Sequence, residues 1–300
     1  MSAVPPEVSR LLAERDVARS KKDFARADVL RDEIQALGFE IRDTPQGATA
    51  TPRAPYEAVD PARVGSSLDE SPALTFSIHL LHEGFRGDVE RFLGALAKHS
   101  EQQDYEVVLV DNASADGEWL ESLASERVRV LHLDREVGFA EARNAGLKTS
   151  RGRILVLADL SVEPTGDVLG PLAAAFEDSS VGVAGPWGIV SEDMREFEAS
   201  PGPEVDAVEG YLLAAPRELL AKGLLHEKFR WYRHADIDLS FQLRALGTKA
   251  VVVDLPATKH THRGWAALGE DERTKRSKRN WNLFFDRWKH RHAMLLSHRD

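Results

Sequence analysis

The sequence predicts an α/β protein, built on a three-layer and mostly parallel sheet with a helical hairpin before it and a helix after it. Three observations carry this. After Ala73, short continuous apolar runs alternate with helical patterns, as strands covered on both faces do. Before Arg53, apolar residues recur at helical spacing. Between the two regimes the chain turns to Pro, Ala, Ser and acids, with few large apolar residues.

The elements follow in order. Pro5 and Pro6 precede a helix with Val8, Leu11, Leu12 and Val17 on one side. Ser20-Lys21-Lys22 interrupts it, and Asp23 is the N-cap of a second helix. That helix is expected to bury Phe24, Ala27, Val29, Leu30, Ile34 and Leu37, with Gly38 at the left-handed C′ position. Phe39-Glu40-Ile41 reads as a strand and Thr44-Pro45-Gln46-Gly47 as a turn. Strands are expected at 74–81, 105–110, 128–133 and 154–157, with helices at 88–97, 116–124, 139–149 and 239–246. The basic stretch Arg273–Arg291 carries Trp281, Phe284, Phe285 and Trp288 at helical spacing. The expected division is a hairpin over 1–50, a linker over 51–72, a catalytic domain over 73–265 and a C-terminal helix over 266–300.

Composition bounds the function. The 300 residues are 42% hydrophobic and 29% charged, a globular balance with room for a large core. Lys and Arg number 39 against 49 Asp and Glu, a net charge of −10, which argues against nucleic-acid binding over the whole surface. The absence of cysteine excludes disulfide scaffolds, thiolate metal sites and cysteine nucleophiles, and fits a cytoplasmic protein. No run approaches the roughly 18–20 apolar residues of a membrane helix, and the first residues hold no apolar signal core.

The sharpest motif is Glu106-Val107-Val108-Leu109-Val110-Asp111-Asn112-Ala113-Ser114. A buried strand ends in a carboxylate, and a polar turn follows. Asp111 either accepts a hydrogen bond from a nucleobase N–H or closes the turn together with Ser114; the residues alone leave both open. Gly138-Phe139-Ala140-Glu141-Ala142-Arg143-Asn144-Ala145-Gly146 comes next, then Ala158-Asp159-Leu160-Ser161 at a strand end. Glu209-Gly210 and His234-Ala235-Asp236-Ile237-Asp238 lie further on. Asp236 and Asp238 are candidate bases or simply helix-opening acids. His260 and His262 point the same way if they lie on a strand, as a ligand pair or as a surface strand end.

Two resemblances rest on these residues. The run Lys22–Asp28 with Leu30-Arg31-Asp32, Leu37-Gly38 and Asp43-Thr44-Pro45-Gln46-Gly47 resembles the C-terminal tail of cysteinyl-tRNA synthetases. The nucleotide-binding and zinc motifs of such enzymes are missing, so aminoacylation is not expected. Residues 1–50 hold eight Lys or Arg against nine Asp or Glu, which favours a docking role over tRNA contact. The ordered motifs over about 74–265 resemble family 2 glycosyltransferases of the glycosyltransferase A-type fold, nearest to a rhamnosyltransferase-like branch.

That second resemblance implies a set of roles. Asp111, with Asn112 and Ser114, falls where the donor base is read, and Arg143 and Asn144 where the donor diphosphate is bordered. Asp159 matches the start of an Asp-x-Asp motif that holds a divalent metal, Mn2+ or Mg2+. Asp236 matches the catalytic base, Glu209, Gly210 and Asp238 the acceptor side, and His260 or His262 a histidine completing the metal site. The implied reaction moves a sugar from a UDP- or dTDP-linked donor to an acceptor hydroxyl with inversion. The acceptor would be a glycan, a lipid-linked sugar or a protein. The basic aromatic C-terminal helix either packs on the domain or touches an anionic membrane surface, placing the enzyme in the cytoplasm or at the inner membrane face. Two departures stand out. Ser161 replaces the second carboxylate of the metal motif, and Phe76-Ser77-Ile78-His79-Leu80-Leu81 lacks the usual proline and asparagine of the opening strand. They support an alternative: a catalytically weakened module that binds a nucleotide sugar or a partner.

Overall fold

The computed structural model describes residues 4–44 and 47–298. They divide into two compact units, Met1–Glu57 and Ala58–Asp300.

In the first unit, α1 (Pro6–Ser20) and α2 (Phe24–Ala36) are followed by an antiparallel pair, β1 (Phe39–Thr44) and β2 (Gly47–Pro52). The Asp23 carboxylate accepts from the Arg26 amide at 3.1 Å, the expected N-cap, and Gly38 takes φ +80°. Val8, Leu11, Ala27, Leu30, Ile34 and Ala50 form the core. Ala27, Leu30 and Ile34 are spaced by three and four and make one stripe; Val17, Phe24, Val29 and Leu37 fall off it and are exposed, contrary to expectation. Arg15 is buried and grips both oxygens of Asp43 at 2.8 and 3.2 Å. Within the turn expected at 44–47, Pro45 and Gln46 lie outside the described residues.

The second unit begins with β3 (Ala58–Val59). It continues through β4 (Leu74–His82), α3 (Arg86–His99), β5 (Tyr105–Asp111), α4 (Gly117–Glu121), β6 (Val128–Leu133), α5 (Phe139–Lys148) and β7 (Gly152–Ala158). Next come β8 (Val162–Pro164), α6 (Leu169–Ala175), β9 (Val181–Gly185), β10 (Gly188–Val190), β11 (Glu198–Ser200), β12 (Glu204–Val205), β13 (Ala207–Val208) and β14 (Leu212–Pro216). The chain closes with α7 (Arg217–Leu220), α8 (Ala235–Arg244), β15 (Lys249–Val252), β16 (Ala257–Lys259), α9 (Arg263–Ala266) and α10 (Glu270–Trp288). Nine strands form the main sheet in the order β12-β15-β9-β14-β7-β4-β5-β6-β3. β3 to β7 run parallel, and β14 runs against both its neighbours.

Alternation builds the layers. Phe76, Ile78 and Leu80 of β4, with Ile154, Val156 and Ala158 of β7, face a core shared with Val89, Phe92, Leu96 and Leu172. On the other face Leu155 and Leu157 meet Leu147, Leu239 and Phe241, while Val108 and Val110 meet Ala142 and Ala145. Helices therefore cover both faces. Phe284 and Trp288 of α10 join this core, with ring centres 5.2 and 5.6 Å from Phe241.

The stretch 51–72 differs from the linker that composition suggests. Thr51 and Pro52 complete β2, and β3 pairs with β6 at the sheet edge. Leu68 is buried, Ser67 Oγ donates to the Lys148 and Ser150 carbonyls at 3.0 and 3.1 Å, and Arg217 holds the carbonyls of Ser67 and Leu68. Backbone hydrogen bonds fix this segment, so it needs few large side chains.

Candidate active site

The parallel pairing of β4 with β7 sets His79 opposite Leu157. The chain then leaves β4 into Glu83 and β7 into Asp159, so two carboxylates from distant parts of the sequence meet at adjacent strand ends. In open sheets of this kind, the carboxyl ends of the strands are where ligands bind. One ligand atom each from Glu83, Asp159 and His262 lie within 4.8 Å of one another. His262 Nε2 is 3.3 Å from Asp159 Oδ2 and 3.7 Å from Glu83 Oε2. It is buried there without a hydrogen bond.

Ser161 does not extend this group. Its amide donates to Asp159 Oδ1 at 2.8 Å, and its hydroxyl donates to the same oxygen. Burial pushes Asp159 up, but His262 and Ser161 outweigh it and hold the carboxyl below its usual range. Burial pushes His262 down, and Asp159 more than reverses that. Glu83 is pushed up to about 7 by desolvation and by Asp159. No Lys or Arg among the described residues reaches ion-pair distance of Glu83 or Asp159. Two carboxylates that no Lys or Arg of the described residues pairs, beside an imidazole, fit a divalent cation. His262 Nδ1 accepts from the Trp265 amide at 3.1 Å, so ligation through Nε2 requires the ring to release that amide.

Arg143 borders the same cleft from α5. It is buried, and donates to the carbonyls of His79 and Ala158 at 2.9 and 3.0 Å and to His79 Nδ1 at 3.1 Å. Burial and Arg143 hold His79 well below its usual pKa, so the ring is neutral. Gly146 makes this possible: a Cβ there would lie 2.0 Å from His79 Nε2.

Asp236 stands on another wall of the cleft. It lies in the first turn of α8, two residues after the N-cap His234, whose φ of +67° is unusual for a residue with a side chain. Asp236 Oδ2 accepts from the Gly210 amide at 2.7 Å. Burial nevertheless keeps the carboxyl above its usual pKa. Asp236, Gly210, Asp159, Arg143 and His262 all line one cavity of about 340 Å³. Glu209 also lines it, ion-paired to Lys259, whose ammonium sits 4.3 and 4.1 Å from the ring centres of Trp187 and Tyr211. Tyr232, Arg195 and Arg233 complete the walls, and Tyr232 stacks on His262 at 4.5 Å. Sequence reasoning missed Glu83, His79, Arg195, Tyr232 and Arg233; for Glu83 the one available signal was the altered strand that precedes it.

The remaining expected residues are engaged elsewhere. Asp111 is buried; Oδ1 accepts from the Ser114 amide and Oδ2 bonds His132 Nδ1, both at 2.8 Å. Its geometry is that of the turn-closing alternative, with both oxygens hydrogen-bonded within the protein. Ser114 Oγ accepts from the Asp116 amide at 3.1 Å. Asn112 clamps both backbone groups of Val137, and Asn144 both backbone groups of Leu225, so neither amide is turned to a donor. Asp238 is buried and holds Trp288 Nε1 at 2.8 Å and Arg287, which makes it an anchor for α10 and not an acceptor-side group. His260 bonds Glu163 at 2.7 Å, outside the group formed by His262.

A mostly parallel sheet covered by helices on both faces, with a carboxylate–histidine group and a separate buried aspartate over one cleft, defines a protein of the glycosyltransferase A-type fold. The profile for glycosyl transferase family 2 matches residues 86–237, about half of the chain, and the chain belongs to this family. Solved structures agree on the fold. GalNAc-T7 with UDP, GalNAc and Mn2+ is 16% identical, with a TM-score of 0.61 over 75% of this chain and 50% of that one. Mannosyltransferase PcManGT from Pyrobaculum calidifontis, in complex with GDP-Man and Mn2+, is 18% identical, with a TM-score of 0.54 over 77% and 71%. The profile of the cysteinyl-tRNA ligase anticodon binding domain matches residues 1–49. Cysteine–tRNA ligase of Nitratidesulfovibrio vulgaris is 64% identical over 44 residues, 15% of this chain and 9% of that protein. The enzyme of Halorhodospira halophila is 56% identical over 41 residues, 14% and 9%. The chain thus spans about a tenth of the length of these curated relatives.

Proposed function

We propose that the protein transfers a sugar from a nucleotide-diphosphate donor, a UDP- or dTDP-sugar, to an acceptor hydroxyl with inversion. The observation that carries this reading is that Asp236 shares one cavity with the Asp159–His262 pair, so an acceptor and a donor diphosphate meet there. Asp236 takes the proton of the attacking hydroxyl. Its raised pKa makes it a stronger base than an exposed aspartate, and the Gly210 amide aims it. Attack from the face opposite the leaving diphosphate inverts the anomeric centre. Arg143 adds fixed positive charge on the donor side, with no carboxylate of a described residue within ion-pair distance. Asp159 and His262 would hold a divalent cation, which when bound neutralises charge on the departing diphosphate.

The acceptor is a glycan, a lipid-linked sugar or a protein, met in the cytoplasm or at the inner membrane face. The N-terminal unit serves docking, in keeping with its balanced charge and its exposed Val17, Phe24, Val29 and Leu37. The test is nucleotide release from a panel of UDP-, dTDP- and GDP-sugars with candidate acceptors and Mn2+. Acceptor-stimulated release from one donor supports the reading. Binding of a donor without turnover by any acceptor favours the weakened binding module instead.

A further inference from the structure

We propose that Glu83 supplies the second carboxylate of the cation site, in place of the one that Ser161 removes from the strand-end motif. This rests on the reading above, that a donor diphosphate is bound beside Asp159.

The argument begins with Ser161. A serine hydroxyl is a neutral and weak ligand, and here it is spent on Asp159 itself. Asp159 alone would leave a divalent ion with one protein charge, and hard cations are held chiefly by charged oxygens. The parallel register of β4 and β7 brings a carboxylate to the same place from another strand. Glu83 directly follows β4, as Asp159 directly follows β7. Its side chain is 31% exposed, and no hydrogen bond from a described residue holds it.

A second observation points to a ligand. His262 is nine-tenths buried, with 9% of its surface exposed, and its Nε2 makes no hydrogen bond although it faces both carboxylates. Nε2 stands 3.3 and 3.7 Å from the two carboxylates and meets neither in hydrogen-bond geometry, which leaves the space between the three groups for an ion. The three atoms come from three separate segments: the end of β4, the end of β7 and the N-cap of α9. One cation bridging them would tie those segments together, which a purely local motif cannot do.

The test is Mn2+ affinity of the full chain, measured by titration calorimetry and by the paramagnetic signal of free Mn2+, with and without UDP. Glu83→Gln keeps the shape and removes the charge; it is expected to weaken Mn2+ at least tenfold, with an unchanged melting temperature measured without metal. Glu83→Gln combined with Ser161→Asp is expected to recover most of that loss by restoring the usual motif. His260→Ala, outside the cluster, is the control and is expected to bind Mn2+ as the parent does. Equal Mn2+ affinity in parent and Glu83→Gln overturns the proposal, as does a parent that binds no Mn2+ with UDP present. The two readings fail separately. A parent that binds Mn2+ through Glu83 and transfers no sugar refutes the transferase and keeps the site. A parent that transfers sugar equally well in EDTA refutes the site and keeps the transferase.

Discussion

The Asp236 carboxylate accepts a hydrogen bond from the backbone amide of Gly210 at 2.7 Å, and the α-carbon of Gly210 has no room for a side chain. A Cβ at that position would lie 2.9 Å from Asp236 Cβ and 3.3 Å from its Oδ2. The aim of the proposed base is therefore set by a residue that carries no functional group. Gly210→Ala should displace Asp236 and lower kcat by roughly 10–100-fold while the KM for donor moves little. Steady-state kinetics with the donor varied will show this; a loss confined to KM would place Gly210 in donor binding instead.

Asp236→Asn keeps the shape and abolishes the base. Turnover should fall by at least about a hundredfold, with donor affinity within a few-fold. The raised pKa also sets a pH limb. Transfer should decline as pH falls through a value above that of an ordinary aspartate, because protonation removes the base. The stability effect has the opposite sense: burying the ionised carboxyl costs stability as pH rises from the unfolded value, about 3.9, up to the raised native one. Asp236→Asn should therefore melt no lower than the parent at pH 7, read by calorimetry.

Asp111 behaves differently. Burial pushes its carboxyl up, yet His132 and Ser114 together hold it below its usual range. Its contribution is present at neutral pH and fades as pH falls below about 4 toward the lowered native value. Asp111→Ala should cost roughly 1–3 kcal/mol through the partners left unpaired. Chemical denaturation will measure the loss. UDP and dTDP affinities of the folded variant should stay within a few-fold; a collapse in affinity with unchanged stability would restore the base-reading role.

Two fragments distinguish a linker from a structural segment. Residues 58–300 should fold and melt cooperatively, because that unit has its own core. Residues 73–300 lack β3, Ser67 and the buried Leu68, and should melt several degrees lower. Equal melting of the two would return 58–72 to the status of a tether.

The strands from β4 to β7 were legible because their apolar runs are long and covered on both faces, and Asp159, Asp236 and His262, singled out through an ordered set of motifs, line one cavity. Glu83 was not legible: it joins Asp159 only through the pairing of β4 with β7, which depends on sheet order and register. His132 was hidden in the same way, facing Asp111 across β5 and β6. Asp238 was misassigned because its partners, Arg287 and Trp288, arrive from α10, far along the chain. The exposed apolar side chains of α1 and α2 show a different failure. Residues near a stripe count as part of it in sequence, while a rotation of about 100° per residue takes them off it in space.

Strand β14 runs against β7, with Leu212 opposite Ala158, and the Asp159 amide donates to the Tyr211 carbonyl at 2.9 Å. Glu83 and Asp159 thus stand where strands finish, while Glu209, Gly210 and Tyr211 stand where a strand is about to start. On the proposed reading this second group shapes the acceptor side, and it is joined to the Asp159 strand end through the Tyr211 carbonyl. On that reading residues 191–208, which lie ahead of the Tyr211 tie and include the cavity-lining Arg195 and Phe197, are the stretch to redesign first when a new acceptor is wanted.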